Sequence, residues 1–158
     1  MSQEHEHDEE CEDCEYEDGP CIETGHFGWN ELVTNDTDAA GKFYGDLFGW
    51  QTQSFKPEGA PENAPPYILF NMEDEETSVG GMMASPKPGI PPHWVPYVVV
   101  DSTDESLKKA ESLGATVLMP ATDIGGVGRI AVFKDPQGAV FGIHQMEADD
   151  EEGEDEEA

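Results

Sequence analysis

Residues 29–50 read WNELVTNDTDAAGKFYGDLFGW, and this stretch carries the signals of a strand followed by a helix. Trp29–Thr34 alternates between apolar and polar side chains, as a half-buried β-strand does. Asp36 is a typical helix N-cap residue, and Gly49 stands where a glycine commonly follows a helix. Apolar side chains recur between them at helical spacing, on a face formed by Ala39, Phe43, Tyr44 and Leu47.

The same strand-and-helix pattern returns 65 residues further along the chain. The matching pairs are Trp29 with Trp94, Asp36 with Asp101, and Gly49 with Gly114. Each helix is followed by three strand-like runs, so the pattern is βαβββ, twice. The modules span about 26–84 and 93–146, and the proline-rich segment 85–92 links them.

One such module cannot cover both faces of its sheet, because its single helix packs on one face only. The sequence therefore predicts an α+β fold in which two βαβββ modules form one curved mixed sheet. We expect the helices on its convex side and a concave trough, open to a ligand, on the other side.

Charge is distributed unevenly along the 158 residues, which contain 36 acidic and 7 basic side chains and carry a formal net charge of −29. Segments 1–25 and 147–158 hold 11 and 9 of the acidic residues and no Lys or Arg, which predicts two disordered tails around a single domain over 26–146. This balance argues against nucleic acid and anionic membranes as partners. A cytoplasmic protein adapted to high salt is the favoured interpretation of the acidity, and tails that recruit a cation or a basic partner are the alternative.

All three cysteines lie in the amino-terminal segment, and they do not suggest a disulfide framework. The segment offers four ligands spaced suitably for weak zinc or copper binding: His5, His7, Cys11 and Cys14. A plain acidic tail is the favoured alternative, because no apolar residues flank these ligands to form a small core.

Several motifs together resemble those of the vicinal oxygen chelate superfamily, which includes glyoxalase I, bleomycin-resistance proteins and extradiol dioxygenases. They cover the whole of 26–146, and the chain is most similar to glyoxalase-like members. The motifs are Asn35-Asp36-(x)6-Phe43-Tyr44-(x)3-Phe48-Gly49-Trp50, Val79-Gly80-Gly81-Met82, Pro92-His93-Trp94, Val100-Asp101, Gly126-Val127-Gly128-Arg129 and Asp135-Pro136-Gln137-Gly138-Ala139.

The resemblance implies metal ligands on the first and last strands of each module in the metal-dependent members. The first-strand positions fall here on Trp29 and on Val95 or Trp94, depending on register. The last-strand position of the second module falls on Gly142, and 77–85 contains no His, Glu, Asp or Cys. None of these side chains is a usual metal ligand, so we expect no metal in the domain and no other cofactor.

Strand alternation indicates which side chains line the trough. Glu31 and His144 are the candidate catalytic residues, because a carboxylate on an apolar strand face beside an imidazole could act as a general base. A structural role is the alternative for both, and Arg129 could equally form a salt bridge. A one-residue slip would turn Trp94 inward in place of Val95 and its neighbours. The candidate ligand-binding residues are Trp29, Val33, His93, Tyr97 and Arg129.

These features predict a protein that binds a small carbonyl or aromatic molecule in the trough. The alternative is a metal-independent lyase, isomerase or hydroxylase-like enzyme that uses Glu31 as its base. A third possibility is a metal-handling protein that works through the tail cluster. The resemblance also implies a homodimer.

Overall fold

The computed structural model describes residues 22–73 and 77–147, so the predicted tails and the cluster of His5, His7, Cys11 and Cys14 lie outside the described residues. The elements are β1 (Phe27–Thr34), α1 (Thr37–Phe48), β2 (Gln51–Phe55), β3 (Tyr67–Asn71), β4 (Ser78–Ala84), β5 (His93–Val99), α2 (Thr103–Ser112), β6 (Thr116–Ile124), β7 (Gly128–Lys134) and β8 (Val140–Met146). The predicted order βαβββ, twice, is confirmed. Within the described ranges, neither helix has the length and apolar character needed to cross a membrane.

All eight strands form one mixed sheet in the order β2-β3-β4-β1-β5-β8-β7-β6. The two modules meet where β1 and β5 pair antiparallel, while β1–β4 and β5–β8 are parallel pairs within each module. The sheet is thus continuous through the centre of the molecule, and each module contributes four strands to it.

Both helices pack on the same face of this sheet. Leu107 of α2 belongs to a core with Phe133 and Ile143, and α1 packs its Tyr44 against a core that includes Phe70. On the opposite face, a third cluster is built around Val33, Val95 and Tyr97. We call this helix-free face the trough, and the predicted α+β architecture is confirmed.

The sheet curls so strongly that its two edges touch. Glu58, three residues beyond β2, donates its backbone N–H to the carbonyl of Gly125, which directly follows β6, over 3.3 Å. The edges of a flat eight-stranded sheet would lie roughly 34 Å apart, far beyond the reach of four residues. The contact between Glu58 and Gly125 therefore bridges the two edges of the curved sheet.

The helix ends follow the chemistry expected from the sequence, with one shift. Asp36 caps α1 by accepting from the Ala39 N–H, while Ser102 caps α2 by accepting from the Glu105 N–H. The sequence comparison had aligned Asp36 with Asp101, so the offset between the modules is 66 residues at the caps and not 65. Asp101 instead accepts a 2.6 Å hydrogen bond from the Thr24 hydroxyl.

Candidate functional site

The pairing of β1 with β5 settles which side chains face the trough. Trp29 lies opposite Tyr97, Glu31 opposite Val95, and Val33 opposite His93. Side chains that lie opposite each other in a sheet share a face, so these three pairs form the floor of the trough.

Of the two registers that the sequence left open, this is the one that turns Val95 inward. Trp94 lies on the helix side, where its Nε1–H donates to the Tyr44 hydroxyl over 3.1 Å.

A hydrogen-bonded carboxylate occupies the centre of this floor. The Tyr97 hydroxyl donates to Glu31 Oε1 over 3.2 Å. Tyr67, the first residue of β3, is a second side-chain partner of Glu31. The Tyr67 hydroxyl in turn accepts a 2.9 Å hydrogen bond from Trp29 Nε1. Glu31 is therefore held by one phenol from each module.

Burial determines the protonation chemistry of this group. Removal from water raises the pKa of Glu31 above its usual value, while the hydrogen bonds from Tyr67 and Tyr97 and the electrostatic effect of His93 act in the opposite direction. Burial and the neighbouring Glu31 charge raise the pKa of both tyrosines far above the usual range. The phenols therefore keep their protons at physiological pH and can donate them to Glu31.

Two glycines create the space that the tyrosine rings occupy. Gly81 on β4 pairs with Glu31, and Gly142 on β8 pairs with Tyr97. A Cβ atom at Gly81 would lie 2.3 Å from the Tyr67 hydroxyl oxygen, and one at Gly142 would lie 2.3 Å from the Tyr97 ring. Neither position can carry a larger side chain without displacing a tyrosine.

The β1–β5 pairing makes these two arrangements equivalent. A shift of 66 residues converts Trp29 into Val95 and Glu31 into Tyr97, and it reproduces the observed pairs. Gly81 beside Glu31 then corresponds to Gly142 beside Tyr97. The site thus holds a carboxylate and a phenol at matching places in the two modules.

The two histidines on the trough face make different contacts. His93 Nδ1 lies 2.8 Å from the carbonyl oxygen of Pro91, so this nitrogen carries the proton and donates it. His144 Nε2 makes the corresponding contact with the Val127 carbonyl, also at 2.8 Å. His93 lies opposite Val33 on the strand beside Glu31, whereas the His144 ring is tied to the β6–β7 turn.

The two remaining predicted binding residues lie in contrasting places. Val33 is buried in the trough cluster with Val95 and Tyr97. Arg129 lies on the helix side, because Ile130 and Val132 are the residues of β7 that pack in the trough cluster. Its guanidinium contacts Asp104 at 2.7 Å and Asp123 at 2.9 Å, which is the salt-bridge alternative of the sequence analysis.

A family model, described as the Glyoxalase/Bleomycin resistance protein/Dioxygenase superfamily, matches residues 24–143. The chain belongs to this superfamily. The resemblance noted from the sequence motifs is therefore confirmed.

Curated relatives within the superfamily are longer than this chain. CFP32 of Mycobacterium tuberculosis, described provisionally as a glyoxylase, is 42% identical over 121 residues, which cover 77% of this chain and 44% of CFP32. The anthracycline biosynthesis protein DnrV of Streptomyces peucetius is 30% identical over 127 residues, which cover 73% of this chain and 45% of DnrV. The chain thus spans less than half the length of the curated relatives it matches.

Solved superfamily structures share the fold at low sequence identity. Methylmalonyl-CoA epimerase of Streptomyces coelicolor, as a Q60A variant with 2-nitronate-propionyl-CoA, superposes with a TM-score of 0.54 and 17% identity over 80% of this chain and 100% of the epimerase. A selenomethionine methylmalonyl-CoA epimerase gives 0.51 and 18% over 79% and 98% of the two chains. These likenesses establish the architecture alone.

The metal positions that the superfamily resemblance implies hold no suitable side-chain donors in this chain. The first-strand positions are Trp29 and Val95, and the last-strand positions opposite Glu31 and Tyr97 are Gly81 and Gly142. Nor does any part of the described chain gather three His, Cys, Asp or Glu side chains into one group. The residues at these positions do not fit a divalent cation.

Tyr67 is the site residue that the sequence analysis did not identify. It belongs to β3, two strands from β1, and it reaches Glu31 across β4 where Gly81 leaves the space open. The Gly80-Gly81 pair was visible in the sequence as part of a family motif. Its function, which is to admit a ring from the next strand, could be seen only in the register of the sheet.

Proposed function

We propose that this superfamily member binds a small aromatic or carbonyl compound in the trough without a divalent cation. The observation that carries the proposal is the Glu31 carboxylate, which is bonded by phenols from both modules at the centre of an otherwise apolar face. A buried carboxylate is unfavourable unless its oxygens are satisfied, and the rigid hydrogen-bonded group can orient a ligand that completes the set.

The walls of the trough support a ligand with a flat apolar body. Trp29, Tyr67 and Tyr97 surround Glu31, and Val33 and Val95 lie beside it. Aromatic side chains offer large rigid contact surfaces for ring systems. The name of DnrV refers to the biosynthesis of anthracyclines, which are aromatic carbonyl compounds, and this also favours an aromatic ligand.

A screen of small aromatic and carbonyl compounds by thermal shift, followed by calorimetric titration of the hits, tests the proposal. Glu31→Gln should change the affinity for a trough ligand, because it alters the central polar group. Glu111→Gln is the matched control, since it removes the same charge from the exposed surface of α2 and should leave affinity unchanged. Equal effects of both substitutions would contradict binding at Glu31.

An enzyme that uses Glu31 as a general base is the second candidate function. The raised pKa of Glu31 favours it, because a carboxyl group shifted upward by burial is a stronger base toward a carbon acid. Lyase, isomerase or hydroxylase-like chemistry on a bound carbonyl compound would suit this base.

The same variant separates the two functions once a ligand is known. If Glu31 is a base, Glu31→Gln abolishes turnover and barely changes affinity. If the protein only binds its ligand, there is no turnover to lose and the substitution changes affinity alone.

A further inference from the structure

The polar atoms that the trough presents to a ligand share one property, which is that they accept hydrogen bonds. Each of the two phenols uses its proton on Glu31, and the Trp29 N–H is used on Tyr67. An ionised carboxylate has about four acceptor sites, of which the phenols fill two. Glu31 therefore keeps acceptor capacity toward the trough and has no proton to offer when ionised.

The imidazole nearest to Glu31 follows the same rule in its neutral form. His93 donates through Nδ1 to Pro91, which leaves Nε2 with a free lone pair. The backbone groups of β1 and β5 are occupied by the sheet ladder along the floor. The site thus has a surplus of acceptors and lacks free donors among the described residues.

No fixed positive charge compensates for the carboxylate within the described part of the trough. Arg129 is held on the helix side by two aspartates, and Lys42 is paired with Asp46 on α1. Among the described side chains, His93 is the one whose charge acts on the pKa of Glu31. An anionic ligand group would therefore meet a like charge at the centre of the site.

Resting on the proposed binding function, we infer that the trough selects uncharged aromatic molecules that carry an O–H or N–H donor and rejects anionic ones. The donor completes the acceptor set of Glu31 while the ring lies against Trp29, Tyr67 and Tyr97. A ligand that carries only acceptors, such as an aldehyde or an ether, leaves Glu31 without a new partner. CoA esters, which the epimerase structures hold, are anionic and fall in the rejected class.

Four probes with the same ring system test this selectivity by calorimetric titration of the full chain: 2-naphthol, 2-methoxynaphthalene, 2-naphthaldehyde and 2-naphthoate. We expect 2-naphthol to bind at least about tenfold more tightly than its methyl ether, since a hydrogen bond to a charged group is commonly worth that much. The aldehyde should resemble the ether, and the carboxylate should bind most weakly. Raising the salt concentration should not rescue 2-naphthoate, because a buried charge is poorly screened.

Two variants connect the selectivity to Glu31. Glu31→Gln should reduce the preference for 2-naphthol over 2-naphthaldehyde to less than about threefold, because the amide can also donate. Tyr97→Phe should keep the preference, since it leaves the carboxylate in place, and circular dichroism checks that each variant is folded. Glu111→Gln serves as the charge control.

The outcomes separate this inference from the proposed function. If the four probes bind with equal affinity, or if the carboxylate binds best, donor selectivity is overturned while binding of aromatic molecules stands. If none of the probes binds, the proposed binding of aromatic molecules fails and takes this inference with it. A preference for 2-naphthol that survives Glu31→Gln would show that another group reads the donor, which also overturns it.

Discussion

The two modules have the same fold but are stabilised differently. In the second, α2 buries Thr103 and Leu107, and its first turn is fixed to β7 and β8 by hydrogen bonds from Thr103 to the Arg129 carbonyl and to Gln145. In the first, α1 has no fully buried residue and leaves Phe43, Leu47 and Phe48 more than half exposed. Its contact with the sheet is made by stacked rings around Tyr44.

The trough shows a related difference in residue chemistry. The first module supplies Trp29, Glu31 and Tyr67, whereas the second supplies Val95 and Tyr97 at the matching positions. The duplicated fold therefore gives two equivalent places, and the sequence puts the single carboxylate in one of them. We conclude that the first module carries the chemistry of the site, while the second contributes one hydrogen-bond donor and most of the rigid floor.

The largest effect should come from the glycines that admit the two rings. Gly142→Ala places a Cβ against the ring of Tyr97, which is only 4% exposed and has nowhere to move, so we expect a loss of about 3 kcal/mol in the free energy of unfolding. Gly81→Ala meets the hydroxyl end of the half-buried Tyr67, which can shift, so about 1 kcal/mol is expected. Urea denaturation measures both.

A double substitution checks the cause of the Gly142→Ala effect. In a Tyr97→Leu background the ring is absent, so adding Gly142→Ala should cost less than it does in the wild type. An unchanged cost would mean that the glycine is required by the backbone and not by the ring.

Removal of one phenol hydroxyl should have the next largest effect. Tyr97→Phe deprives buried Glu31 of a donor that water cannot readily replace, and we expect a loss of about 2 kcal/mol. Tyr67→Phe also removes the acceptor of Trp29, but water can reach this more exposed position, so about 1 kcal/mol is expected. A larger loss from Tyr67→Phe, measured by urea denaturation, would reverse the ranking of the two donors.

The acidity of Glu31 distinguishes it from a merely structural hydrogen-bond acceptor. Because burial raises its pKa in the folded state, the folded protein holds the proton more tightly than the unfolded chain between pH 4.5 and the folded-state pKa. This contribution to stability is fully present below pH 4.5 and is lost as the pH rises through the folded-state pKa.

The free energy of unfolding of the wild type, relative to Glu31→Gln, should therefore fall from acidic to neutral pH. Tyr97→Phe should extend the fall to higher pH, since the lost hydrogen bond lowers the Glu31 pKa in the wild type. Denaturation of the three proteins across pH measures this. A difference between wild type and Glu31→Gln that does not vary with pH would show that Glu31 has an ordinary pKa.

Local sequence signals predicted the elements and the face of Glu31, because alternation along a strand and capping at a helix are local properties. The signals could not choose between Val95 and Trp94, because register between strands depends on pairing across the sheet. Tyr67 was missed for the same reason, as it approaches from β3. Arg129 was assigned to the trough from its place beside a glycine-rich turn, whereas the alternation of Ile130 and Val132 along β7 turns it to the helix side.

The smallest effects should come from the helix caps, and they compare the modules directly. Asp36 holds the start of α1 largely by itself, so Asp36→Ala should cost about 1 kcal/mol in the free energy of unfolding. Ser102→Ala removes the cap of a helix whose next residue, Thr103, is already bonded to Gln145, so about 0.5 kcal/mol is expected. The two losses should add in the double variant, because the caps share no partner. If Ser102→Ala proved the more costly, α2 would depend on its cap more than on its attachment to the sheet, and the proposed contrast between the modules would not hold.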